Sequence, residues 1–165
     1  MDNYYYAGGR RISLKRDDDL VAFNQAAAAS SGVDVRTLNA ASGLRRGAEG
    51  VFVAPRASLP DEQIASLRRK GSLLPVFRRD RVILVALPEV RVEFDDAQER
   101  NAVKALLAST AVKVSVTQDV DDLLVLRPSS GNADEALRLA NRIYECAKPA
   151  ASSIRFIQFV PKPGT

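Results

Sequence analysis

The chain has no histidine anywhere among its 165 residues, and only one cysteine. Without histidine, Ser-His-Asp and Cys-His catalysis, imidazole-ligated metals and a charge switch near neutral pH are all excluded. A lone Cys146 cannot close an internal disulfide, and CxxC spacing is absent. Late in a helical stretch, it reads as a small structural side chain. Neither a Walker loop nor a GxGxxG run occurs. No apolar run approaches the roughly 18 residues that cross a bilayer. The opening Met1-Asp2-Asn3-Tyr4 has neither the basic nor the apolar region of a secretory signal. These absences predict a non-enzyme with no cofactor, no metal and no membrane partner. The chain as it stands is expected in the cytoplasm, or outside the cell if an upstream leader has been removed.

What is present is the composition of a folded domain. Hydrophobic residues make up 46% and charged residues 27%, which argues against disorder. The net charge of +4 is uneven. Residues 1–88 carry 14 basic and 9 acidic side chains, and residues 89–165 carry 10 and 11. A basic half of this size serves solubility or favours an acidic partner.

The second half is the easier to read. Val90 to Phe94 alternates as a strand with one buried face, and Asp95 or Asp96 caps a helix running to about Ser109. Val112, Val114 and Val116 alternate again. An acidic turn (Asp119, Asp121, Asp122) follows, and Leu123 to Leu126 forms a short strand. Residues 134–147 read as a helix stopped by Pro149, and Ile154 to Val160 as a last strand. The order β-α-β-β-α-β predicts an α+β fold with a ferredoxin-like split β-α-β lobe over residues 89–165. Residues 1–88 fit a second α+β lobe, a pseudo-repeat joined near Pro88. Its strands are Leu20 to Phe23, Val51 to Ala54, Leu74 to Phe77 and Val82 to Leu87, and its helices are an alanine-rich one after Asn24 and one over 61–70 with Ile64 and Leu67 inward. Residues 32–50 show no clear period. Ile12 to Leu14 and Leu20 to Phe23 are expected to pair across Asp17-Asp18-Asp19.

Several segments are site candidates, each with a plain structural alternative. Tyr4-Tyr5-Tyr6 before Gly8-Gly9 is either a docking patch or an edge strand covering the first lobe. The clusters Arg68-Arg69-Lys70 and Arg78-Arg79-Asp80-Arg81 suit phosphates, or a helix C-terminus and a hairpin tip. The acidic turn lacks the spacing and glycine of an EF-hand. The tail Phe159-Val160-Pro161-Lys162-Pro163 leaves a strand and is held extended by two prolines, at low entropic cost to a binder. Its alternative is a frayed terminus.

Taken together, Tyr4 to Leu14, Asp18 to Phe23, Leu74 to Arg78, Glu89 to Phe94 and Ala136 to Glu145 resemble the N-terminal prodomains of bacterial subtilisin-like serine proteases of the fervidolysin type. The likeness touches nearly all of the chain except residues 24–50. It implies an inhibitor and folding chaperone that packs a sheet on the protease and sends its C-terminal tail into the substrate cleft. On this reading Phe159, Val160, Pro161 and Lys162 occupy the four positions before the scissile bond, with Phe159 filling an apolar pocket. Pro163 follows that bond and resists cleavage, and the acidic turn is a further protease contact. A competing register runs from Lys162 to Thr165 instead, which costs a main-chain donor at Pro163 and puts a charge in the apolar pocket. No catalytic domain follows Thr165, so the chain reads as either an excised prodomain or a separately encoded inhibitor. The alternatives are an RNA-binding module and an adaptor that recruits another enzyme. Nucleic acid is disfavoured, because Val112 to Val116 and Leu123 to Leu126 offer no aromatic on which bases stack.

Overall fold

The computed structural model describes residues 3–33 and 43–160. Along the chain run β1 (Asn3–Ala7), β2 (Arg10–Arg16), β3 (Leu20–Asn24), α1 (Gln25–Ser30), β4 (Arg45–Arg46), β5 (Val51–Pro55), α2 (Asp61–Arg69), β6 (Val76–Arg79) and β7 (Val82–Glu93). Then follow α3 (Ala97–Ser109), β8 (Val114–Val120), β9 (Leu123–Pro128), α4 (Ala133–Ala147) and β10 (Ala151–Phe159). All registered strand pairs are antiparallel, so the protein is α+β. No helix among the described residues is long and apolar enough to cross a membrane.

Two compact units divide the chain, Met1–Leu14 with Ala86–Arg155, and Lys15–Val85 with Phe156–Thr165. Against a division at residue 88, both terminal segments change sides, and β2, β7 and β10 each contribute to both units.

In the first unit, β1 and β2 form a hairpin whose turn is Gly8-Gly9, both at positive φ (58° and 76°). Such a two-residue turn matches strand twist, and glycine adopts it without a Cβ clash. Thus β2 pairs with β1, not with the segment after Asp19 as the sequence suggests. The remainder follows β7–α3–β8–β9–α4–β10, with β8 on β9, β9 on β7 and β10 on β7. Asp96 caps α3 by accepting from the Glu99 amide (2.9 Å), while Glu99 accepts from the Asp95 amide (3.1 Å). Asn132 caps α4, accepting from the Glu135 amide, and Lys148 ends it in the left-handed region before Pro149. Ala136, Leu137, Ala140 and Ile143 are buried at helical spacing along α4, over a sheet burying Val90, Val92, Leu124 and Leu126.

In the second unit the element order is β3–α1–β4–β5–α2–β6. β5 pairs with both β3 and β4, and Leu74, just before β6, bridges Ala22 of β3. Val21, Phe23, Phe52, Ile64 and Leu67 share one buried core, with Leu67 fully enclosed. Phe23 and Phe52 face each other across β3 and β5 with ring centroids 6.0 Å apart. The two strands expected over 82–87 and 90–94 are one continuous strand, β7. Pro88 falls between the stretch paired with β6 (Val82–Val85) and that paired with β9 (Val90–Glu93), where its missing N–H interrupts neither ladder. Residues 34–42 of the uninterpreted stretch lie outside the described residues.

Candidate functional site

The tail predicted to enter a protease begins at Phe159, the last residue of β10. Phe159 is buried, with 4% of its surface exposed. Its ring lies against Gly47, so closely that a Cβ there would fall 2.6 Å from Cε2 and 2.9 Å from Cε1. Gly47 has φ −108°, open to any residue, so its missing side chain serves close approach and not backbone freedom. The Arg45 guanidinium sits 5.5 Å from the same ring centroid and donates through Nη2 to the Val160 carbonyl at 2.7 Å. β4 holds this arginine because Arg45 registers with Val53 and Arg46 with Phe52 on β5. Beyond the anchor, Val160 is 58% exposed. Phe159 as placed here fills a pocket of its own chain, so its ring reaches a partner only by leaving that pocket. Pro161, Lys162 and Pro163 lie outside the described residues.

The acidic turn separates into two parts. Asp119 lies in β8, not in the turn, and bonds Arg100 and Lys104 of α3, the latter at 3.0 Å. The Lys104 ammonium, with Arg100 beside it, holds the Asp119 carboxyl below its usual range. Arg100 also donates to the Val120 carbonyl. The Asp119 charge is therefore taken up within the unit, and Asp121 and Asp122 alone form the exposed turn. Among the described residues no three of His, Cys, Asp or Glu gather as a metal site.

Asp119 marks the α3 side of the sheet, and its registered neighbour on β9 is Leu124. Alternation places Gln118 and Val120 on the opposite face, where they neighbour Val125 and Leu123 of β9, which in turn register with Arg91 and Glu93 of β7. Arg91, Glu93, Gln118 and Val120 are exposed. Val120 at 44% and Val116 at 53% belong to β8, which pairs with β9 alone among the described strands. This face and edge present a mixed apolar and charged surface.

The tyrosine run covers α4 of the first unit, a correction to its expected place on the N-terminal lobe. Tyr6 stacks on Tyr144 (centroids 4.4 Å apart) and meets Tyr4 edge-on. Both hydroxyls donate to Glu145 Oε2, Tyr6 at 2.7 Å and Tyr4 at 3.1 Å, and the Arg11 guanidinium lies 3.7 Å above the Tyr4 ring. Accepting two O–H donors, the carboxylate disfavours tyrosinate. The Glu145 bond pushes Tyr6 up to about 12, and burial with the same carboxylate raises Tyr4. Asn141 secures the strand by donating to the Tyr4 carbonyl at 2.8 Å. This is structural packing with a polar rim.

Arg45 and Gly47 are the residues that sequence reasoning missed. Both fall in a stretch without period, and what gives them a role is a strand more than a hundred residues later. The only trace in the sequence is the isolated Arg45-Arg46-Gly47 ahead of an apolar strand. Compared with family models, curated proteins and solved structures, the chain matches none.

Proposed function

We propose that this protein binds and inhibits a subtilisin-like serine protease, and assists its folding, with the C-terminal tail lying in the substrate cleft. The observation that carries the proposal is the presented strand end, where Phe159 is locked against Gly47, Arg45 holds the Val160 carbonyl, and Val160 projects into solvent. A fixed strand end followed in sequence by two prolines lowers the ordering cost of a segment that adds to a cleft as a strand. The anchor amends the register: Val160, Pro161 and Lys162 take the three positions before the scissile bond, Pro163 follows it, and the Phe159 ring stays in its own chain. A tertiary amide at Lys162–Pro163 explains how such a tail remains uncut.

Two further features support the reading. The strand neighbours β8–β9, β9–β7 and β7–β10 are those of a ferredoxin-like lobe, and β4–β5, β5–β3 and the Ala22–Leu74 bridge follow the same scheme in the second unit. We read the chain as two such lobes, with the exposed face of Arg91, Glu93, Gln118 and Val120 as the protease-facing surface.

The test is titration of the purified chain into a subtilisin-like protease during peptide hydrolysis. The expected result is stoichiometric inhibition, weakened by about tenfold or more when residues 160–165 are deleted. Pro163→Ala should yield a slowly cleaved substrate, nicked after Lys162 by mass spectrometry. Unchanged hydrolysis at micromolar protein would overturn the proposal, and full inhibition by the deletion variant would overturn the role of the tail.

A further inference from the structure

A cleft of about 590 Å³ opens in the first unit between the loop ahead of β8, the turn after β9 and one face of α4. Lys113, Arg138 and Arg142 line it, with Glu135 as its one carboxylate. Arg138 and Arg142 stand one turn apart on α4, so their like charges share a face, an arrangement that costs stability when nothing neutralises it. Of the other cations in this unit, Arg100 and Lys104 are matched by Asp119 and Arg155 by Glu89. Among the described residues, Lys113, Arg138 and Arg142 enter no ion pair.

The hydroxyls beside them are set up as donors. Ser130 Oγ accepts from the Asn132 amide at 3.2 Å and Thr110 Oγ1 from the Val112 amide at 3.4 Å, which leaves each hydroxyl proton free to point elsewhere. The Ser129 amide donates to the Lys113 carbonyl at 2.8 Å, tying the two loops together. Ala111 and Val112 complete the lining with apolar surface, and Leu139, which also borders the cleft, is buried.

We infer that this cleft binds a phosphate monoester, its phosphoryl oxygens taken by the Lys113, Arg138 and Arg142 cations with the Ser130 and Thr110 hydroxyls, and its organic part laid on Ala111 and Val112. Guanidinium forks match phosphoryl oxygens in pairs. The cleft is open to solvent and has room for more than inorganic phosphate. This inference is independent of the tail and of any protease.

The experiment is a titration followed by amide chemical shifts of the whole chain, with sodium phosphate, phenyl phosphate and, at matched ionic strength, sodium chloride. Expected are saturable shifts confined to residues 110–113, 129–130 and 138–142, with phenyl phosphate binding about threefold or more tighter than inorganic phosphate. The double variant R138Q/R142Q, changed at two exposed positions, should keep its far-UV spectrum and bind at least about tenfold more weakly. Shifts no different from those of chloride, or unaltered affinity in the variant, would overturn the site. Phenyl phosphate no tighter than inorganic phosphate would overturn the ester and leave free phosphate. A short single-stranded RNA binding the same residues more tightly than the ester would overturn it in favour of nucleic acid.

Discussion

Adding one methyl group at Gly47 tests the anchor of the tail. The Cβ of Gly47→Ala would lie under 3.0 Å from Cζ, Cε2 and Cε1 of Phe159, closer than real contacts allow. The ring is buried at the end of β10, so it must shift or tilt out of its pocket. Overpacking of this kind costs about 1–3 kcal/mol. The backbone contribution has the opposite sign: φ −108° suits alanine, and losing glycine's freedom in the unfolded chain stabilises by about 0.4–1 kcal/mol. The net change in one variant is therefore a loss of about 0–2.6 kcal/mol that mixes two effects, and the decisive quantity is a coupling. Phe159→Ala alone should cost about 3–5 kcal/mol by emptying the pocket. Once that ring is gone the methyl group has room, and Gly47→Ala in the Phe159→Ala background should be neutral or mildly stabilising. Urea unfolding of parent, both single variants and the double variant, followed by far-UV circular dichroism, gives the cycle. A coupling of about 1–3 kcal/mol is expected. Additivity within about 0.5 kcal/mol would show that Gly47 and Phe159 are not in contact, and would remove the anchor from the proposal.

Two other outcomes follow from the packing. When tyrosinate absorbance at 295 nm is followed, Tyr6 and Tyr4 should give a late phase, because Glu145 opposes their ionisation. With its folded value raised to about 12 from 10, Tyr6 contributes stability that is complete below pH 10 and lost as pH rises through 12. Glu145→Gln should bring the late phase down towards 10, and one transition near 10 in the parent would refute the cluster. Leu67→Ala, at a fully enclosed position of the second core, should cost about 2–5 kcal/mol by urea unfolding, and a loss below about 0.5 kcal/mol would show that α2 does not pack as described.

The elements of the second half were legible because local physics dictates them. Alternating Val90 to Phe94, the cap at Asp96 and the stop at Pro149 act within a few residues, and the structure has a strand, a helix and a helix end at those places. The burial of Ile64 and Leu67 was readable from their spacing on α2 for the same reason. Strand partners were not legible. Pairing β1 with β2 instead of β2 with the segment after Asp19 depends on Gly8-Gly9 closing a tighter turn, and on α4, some 130 residues later, covering the tyrosines. The same holds for the candidate site. Two prolines mark residues 161 and 163 as extended from sequence alone. That Phe159 belongs to a core, that Gly47 must lack a side chain and that Arg45 meets the Val160 carbonyl follow only when distant segments meet. Likewise Asp119 looks like part of an acidic turn until β8 turns it towards Arg100 and Lys104. Local periodicity and capping are written within one turn or a few residues, whereas which charges cancel and which rings are buried is settled by contacts between segments that no local pattern encodes.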